Sequence, residues 1–208
     1  MNIADLSLAE IVTTKPQAAA LLEKYNLDFC CRGKQKLSEQ LNDPDKLNEL
    51  IKQLELVFSL APGKETDFNK MTLSSLVDHI LNEHHQYVKE SLPVIIEHLE
   101  KVVSRHGDRF QYMKDVLNLF SEVRRDLEQH MMKEEVILFP RIKEIERAVE
   151  NGIVYEISSI TAPVSVMEAE HEYAGRLLDE IKKATSNYSA PEDACITFRV
   201  CLDELNLF

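Results

Sequence analysis

Apolar positions recur at spacings of three and four along most of the chain, the period of helices that each turn one face inward. From Leu6 to about Ser59 the repeats are short: Leu8, Ile11 and Val12, then Pro16 opening Ala18–Leu22, then Leu47, Ile51, Leu54 and Val57. They predict a small helical domain over residues 1–60. Ala61–Asp67 is polar, with adjacent Pro and Gly, so residues 61–70 read as a linker and a second domain covers 71–208. Three long helices are predicted there, about Leu73–Arg105, about Arg109–Val149 and about Pro163–Ser186, followed by a shorter stretch from Glu192 to Leu207. Thr161 is expected to cap the third, with Pro163 in its first turn. Pro93 is expected to kink or split the first, because it removes a backbone donor and clashes one turn back. Long antiparallel helices with brief loops make an all-α helix bundle.

Composition agrees, since 5 Gly and 7 Pro in 208 residues leave few turns and therefore long elements. Lys and Arg number 24 against 36 Asp and Glu, a net charge of −12 with no basic stripe, which argues against a nucleic-acid partner. The opening Met-Asn-Ile-Ala-Asp lacks the features of a signal peptide, and no apolar run approaches the ~18 residues of a membrane span. A cytoplasmic protein with no membrane partner is the expectation. The cysteines are Cys30, Cys31, Cys195 and Cys201. The adjacent pair, in a glycine-containing turn beside Arg32 and Lys34, cannot staple distant parts of a fold and suits redox or metal chemistry. Cys195 and Cys201 are expected as buried fillers of the last helix.

Polar residues on apolar stripes carry the candidate chemistry. Val164, Met167, His171, Ala174, Leu178 and Ile181 follow helical spacing without a break, which puts His171 near the centre of its face. On the preceding helix Glu134 falls within the stripe Val116, Phe120, Leu127, Met131, Leu138, Ile142 and Ile145, and His130 stands one turn before it. A buried carboxylate needs a partner, and a helix can present residues i and i+4 to one site. His130 and Glu134 thus offer a nitrogen and an oxygen, a combination suited to iron, zinc or manganese, with a buried salt bridge as the other reading. The first long helix adds His79, His84 and His85, of which periodicity favours His84, in phase with Leu73, Leu76, Val77 and Ile80.

Three segments, Asp28-Phe-Cys-Cys-Arg-Gly-Lys-Gln35, His130-Met-Met-Lys-Glu-Glu-Val-Ile-Leu-Phe-Pro140 and Val164-Ser-Val-Met-Glu-Ala-Glu-His-Glu172, resemble the RIC (repair of iron centres) family, over nearly the whole chain. The resemblance implies a hemerythrin-like bundle holding a non-haem di-iron centre through histidines and bridging glutamates. It also implies an N-terminal domain with a vicinal cysteine pair. It makes His130, Glu134 and His171 metal ligands, and the anchors Asp78-His79 and Leu92-Pro93 put a further ligand at His85, with His84 as the alternative. Glu134→Ala is then expected to abolish iron binding and Glu135→Ala to do little. The function implied is repair of iron–sulfur clusters damaged by oxidative or nitrosative stress, with the protein as iron donor rather than turnover enzyme, although reduction of nitric oxide is a third reading. Cys30 and Cys31 would relay iron or electrons, with damaged iron–sulfur proteins as partners and nitric oxide or dioxygen as small ligands.

Members of the family carry a further His and, four residues on, a Glu beyond the Cys195 helix, whereas no histidine follows His171 here and the sequence stops at Leu207-Phe208. The expectations that follow are a fourth helix cut short, an exposed apolar groove, and a site that is mononuclear, completed by a second copy in a homodimer, or metal-deficient. The alternative function is a hemerythrin-like module that binds or senses nitric oxide or dioxygen.

Overall fold

A computed structural model describes residues 3–29, 32–59, 68–153 and 158–208, so Cys30, Cys31 and most of the expected linker lie outside the described residues. The chain divides into two compact units, Met1–Met71 and Thr72–Phe208. Among the described residues every named element is helical, and none is long and apolar enough to cross a membrane.

The first unit is built from helices α1 (Leu8–Thr14), α2 (Ala19–Lys24), α3 (Leu37–Gln40) and α4 (Pro44–Ser59). Ser7 starts α1 with a capping box, its hydroxyl accepting from the Glu10 amide while the Glu10 carboxylate accepts from the Ser7 amide. Leu8, Ile11, Leu22, Leu37, Leu50 and Leu54 are wholly buried together. Gly33 lies against α1, and its carbonyl accepts from the Ala9 amide. A Cβ there would stand 2.5 Å from the Phe29 carbonyl oxygen, so only glycine fits this approach.

The second unit holds α5 (Leu73–His79), α6 (Gln86–His106), α7 (Tyr112–Lys133), α8 (Phe139–Glu150), α9 (Ser158–Ala184) and α10 (Ile196–Leu207). A π-helical turn, Ile80–His85, joins α5 to α6, and another, Glu134–Leu138, joins α7 to α8. Pro140 has no N–H for the carbonyl one turn back, which weakens the α-helical ladder where the second π turn forms. Leu92, Ile95, Leu99 and Val102 of α6 meet Met113, Val116, Phe120 and Val123 of α7, with Leu177 and Ile181 of α9 closing one side. Phe198, Cys201, Leu202 and Leu205 of α10 complete this core. A smaller cluster, Val77, Leu138, Phe139 and Met167, packs at the end nearer the π turns.

Several expectations are corrected. Pro93 does not split its helix: it lies within α6 on the exposed face, where water can satisfy the carbonyl it leaves free while the buried side of the ladder continues. Thr161 does not cap α9, which begins at Ser158; its carbonyl instead accepts from the Ser165 hydroxyl. The carbonyl that Pro163 crowds is that of the helix's second residue, where the backbone can still give. The last helix starts at Ile196, with Cys195 as its cap residue. Cys201 is buried as expected, but Cys195 is exposed, its sulfur 3.3 Å from His106 Nε2. Burial pushes the Cys201 thiol up to about 12, which makes it inert.

Candidate metal centre

The two π turns bring the predicted chemistry together. His85 ends the first turn, Glu134 begins the second, His130 is in the last turn of α7, and His171 lies on α9. His85 and His130 are buried, 5% and 4% exposed, whereas His84 is solvent-exposed. The physical reason is the first π turn. An extra residue in a helical turn sets the register back by about 100°, so His85 takes the inward place that unbroken periodicity gives to His84. Phe139 stacks on the His85 ring with centroids 5.5 Å apart.

The carboxylate of Glu134 lies between two imidazoles. Its Oε2 is 3.0 Å from His85 Nε2, and its Oε1 is 3.3 Å from His130 Nε2. His130 Nε2 also lies 2.7 Å from His171 Nε2, so nitrogens from two helices and an oxygen from the π turn converge. One donor atom from each of His130, Glu134 and His171 lies within 4.8 Å of the others. The donor set fits a metal ion: two imidazoles and a carboxylate suit iron, zinc or manganese.

The outward faces of the rings are also engaged. Glu135 Oε1 accepts from His85 Nδ1 at 2.8 Å and from Lys89 Nζ at 2.7 Å. Glu170 Oε2 accepts from His130 Nδ1 at 2.9 Å, while Lys133 pairs with its other oxygen. A carboxylate can only accept, so these contacts put a proton on each Nδ1 and turn each Nε2 toward Glu134. Sequence reasoning missed Glu135 and Glu170. Each stands next to a predicted ligand, but neighbours on a helix point about 100° apart, and only the adjacent helix turns them into partners.

His171 departs from its expected place at the centre of a buried stripe. Met167, Ala174, Leu177 and Ile181 form that stripe, and His171 stands at its edge as an exposed residue. Even so, packing against His130 and burial of the ring's inner side decide its basicity. Burial lowers the His171 pKa, and the nearby charge of His130 lowers it further. Burial also pushes His130 down, but hydrogen bonds with Glu134 and Glu170 outweigh it and raise the ring above the usual histidine range. Burial raises Glu134, yet contact with His130 and the charges of His130 and His85 leave it below the usual carboxylate range.

A helical bundle with paired histidines around a shared carboxylate is the class of hemerythrin-like cation-binding domains, and residues 76–206 match the family described as the hemerythrin HHE cation binding domain. Residues 4–57 match ScdA_N, described as a domain of unknown function. The chain is 38% identical over 99% of its length to a Cronobacter sakazakii protein named iron-sulfur cluster repair protein YtfE, of which the match covers 88%. Proteins of the same name from Shigella boydii and from Escherichia coli strain K12 are 35% identical, again over 99% of this chain and 89% of theirs. The chain belongs to the RIC family of iron–sulfur cluster repair proteins.

Proposed function

We propose that this protein binds ferrous iron at the cluster of His85, His130, Glu134 and His171 and gives it up to iron–sulfur clusters damaged by oxidative or nitrosative stress. The observation that carries the reading is the disposition of Glu134, with one carboxylate oxygen facing His85 and the other facing His130 and its neighbour His171. A carboxylate so placed can serve two ions, one on the side of His85 and one on the side of His130 and His171, as in di-iron carboxylate bundles. Iron here is cargo as well as ligand-bound ion. Imidazole and carboxylate hold it without thiolate, a donor set from which softer sulfur ligands at a damaged cluster can take it.

In this reading Cys30 and Cys31 receive the iron or pass electrons to it, with Arg32 and Lys34 favouring thiolate. Family membership supports repair as the task, and the names of the relatives point to the client class, iron–sulfur proteins. The test is reactivation. An iron–sulfur hydratase inactivated with nitric oxide is incubated, without oxygen, with the iron-loaded chain. Recovery faster than with an equal amount of free ferrous iron supports the proposal, and recovery no faster contradicts it.

One observation favours a second reading. His171 is an exposed residue, so a small molecule can approach the centre from that side, as a module that binds nitric oxide or dioxygen requires. In that case Cys30→Ser/Cys31→Ser leaves the protein's function intact, whereas iron relay through the pair requires that this variant fail to reactivate the client.

A further inference from the structure

Two chains of the same chemical kind flank the centre, although they are assembled from different helices. On one side Lys89 of α6 pairs with Glu135 of the second π turn, which accepts from His85 Nδ1. On the other, Lys133 of α7 pairs with Glu170 of α9, which accepts from His130 Nδ1. In each, an ammonium, a carboxylate and an imidazole stand in line, with the ring's Nε2 toward Glu134.

A carboxylate at Nδ1 draws on the imidazole N–H and makes the opposite nitrogen a stronger donor to a metal ion. An ammonium on the same carboxylate works the other way. It takes up part of the carboxylate's charge, so less reaches the ring, and it adds a positive charge near the place of a bound cation. On the His85 side the competition is direct, because Lys89 and His85 share one oxygen of Glu135. The fold does not need these lysines for packing, since the side chains of Lys89 and Lys133 are 54% and 37% exposed, and ion pairs at such positions add little stability.

We propose that Lys89 and Lys133 are positioning residues that temper the histidine donors through Glu135 and Glu170, so that iron bound at the centre stays exchangeable. The proposal rests on the reading of His85, His130, Glu134 and His171 as iron ligands and deepens it: the carboxylates hold the rings in place for binding, and the lysines keep that hold weak enough for delivery.

The experiment loads the full chain with ferrous iron without oxygen and follows its release to an excess of a colorimetric ferrous chelator. Lys89→Met and Lys133→Met slow release several-fold. Glu135→Gln and Glu170→Gln speed it by about tenfold or more, the usual size of a lost outer carboxylate. Lys89→Arg and Lys133→Arg stay near the wild-type rate. General damage to the fold would speed release in every variant, so the opposite signs separate positioning from structure. Helical circular dichroism confirms that each variant is folded. Repeating the series at ~1 M salt, where the screening length falls to about 3 Å, separates contact from diffuse charge, and the differences persist. Release from both Lys→Met variants at or above the wild-type rate, with the wild type holding iron normally, overturns this proposal and leaves the ligand reading standing. A wild-type chain that holds no iron overturns both.

Discussion

The Nε2 atoms of His130 and His171 stand 2.7 Å apart, close enough that one must donate and the other accept. Glu134 and Glu170 favour a proton on His130, whereas burial and the charge of His130 disfavour one on His171. That balance favours His130 as the donor and His171 as the acceptor. An ion entering between them has to displace the proton on His130 Nε2.

Metal loading is accordingly a proton-releasing reaction. At a pH below the raised value of His130, adding ferrous iron to a weakly buffered, oxygen-free solution releases protons. Apparent affinity increases with pH until His130 is neutral. A pH indicator and an equilibrium titration measure both. Binding that neither releases a proton nor depends on pH would mean that His130 is not a ligand.

The same groups set the acid–base stability of protein treated with chelator. The folded pKa of His130 is raised above 6.5, so its contribution is fully present below that pH and is lost as pH climbs through the folded value. Glu134 has the opposite sign: its folded pKa is below 4.5, so its contribution is present above that pH and is lost as pH falls through the folded value. Both act together between 4.5 and 6.5. The difference in melting temperature between wild type and His130→Gln, followed by circular dichroism, is largest in this window and shrinks on the alkaline side. A difference that grows with alkalinity contradicts the assignment.

Glu134 and Glu135 are adjacent but differ in task. Glu134→Gln abolishes iron retention, because the residue faces both groups of histidines. Glu135→Gln retains the site but weakens it, by about 10- to 100-fold in affinity, because it removes the charge of the carboxylate that accepts from His85 Nδ1 and leaves Glu134 in place. This revises the expectation that Glu135 contributes little. Competition with a chelator of known affinity gives both values, and equal losses from the two substitutions would refute the division of roles.

His84 and His85 separate in the same assay. His85→Ala loses iron, while His84→Ala, on the exposed face, keeps it at the wild-type level. A greater loss at His84 would mean that the first π turn is not formed in solution.

Much of this centre is legible in the sequence. The spacing of His130 and Glu134 on an apolar stripe announces a buried nitrogen–oxygen pair, and the helical character of both units follows from periodicity and scarce glycine. His85 is different: periodicity points to His84, and only the family's flanking anchors point to the residue that the fold buries beside Glu134. A π turn has no residue pattern of its own, because it arises from how the ladder is disturbed rather than from which side chains face inward. Glu135 and Glu170 are invisible for a related reason. Their partners lie on other helices, and a charge next to a ligand looks like any solvated charge until packing is known. His171 is read as central because Leu178 is counted on the stripe, whereas Leu177 takes that place and moves the buried face away from the histidine. Cys195 lies outside the core because the helix begins after it, so its sulfur meets His106 rather than Phe198 and its neighbours.

The central claim of the proposed function is that Glu134 would serve two iron ions, one on the side of His85 and one on the side of His130 and His171. The most direct test is anaerobic loading of the purified chain with ferrous iron, removal of excess by gel filtration, and determination of iron per chain beside Glu134→Ala. About two ions per chain in the wild type and almost none in the variant is the result expected of a carboxylate-bridged pair. Iron near zero in the wild type, or equal iron in both proteins, would contradict it.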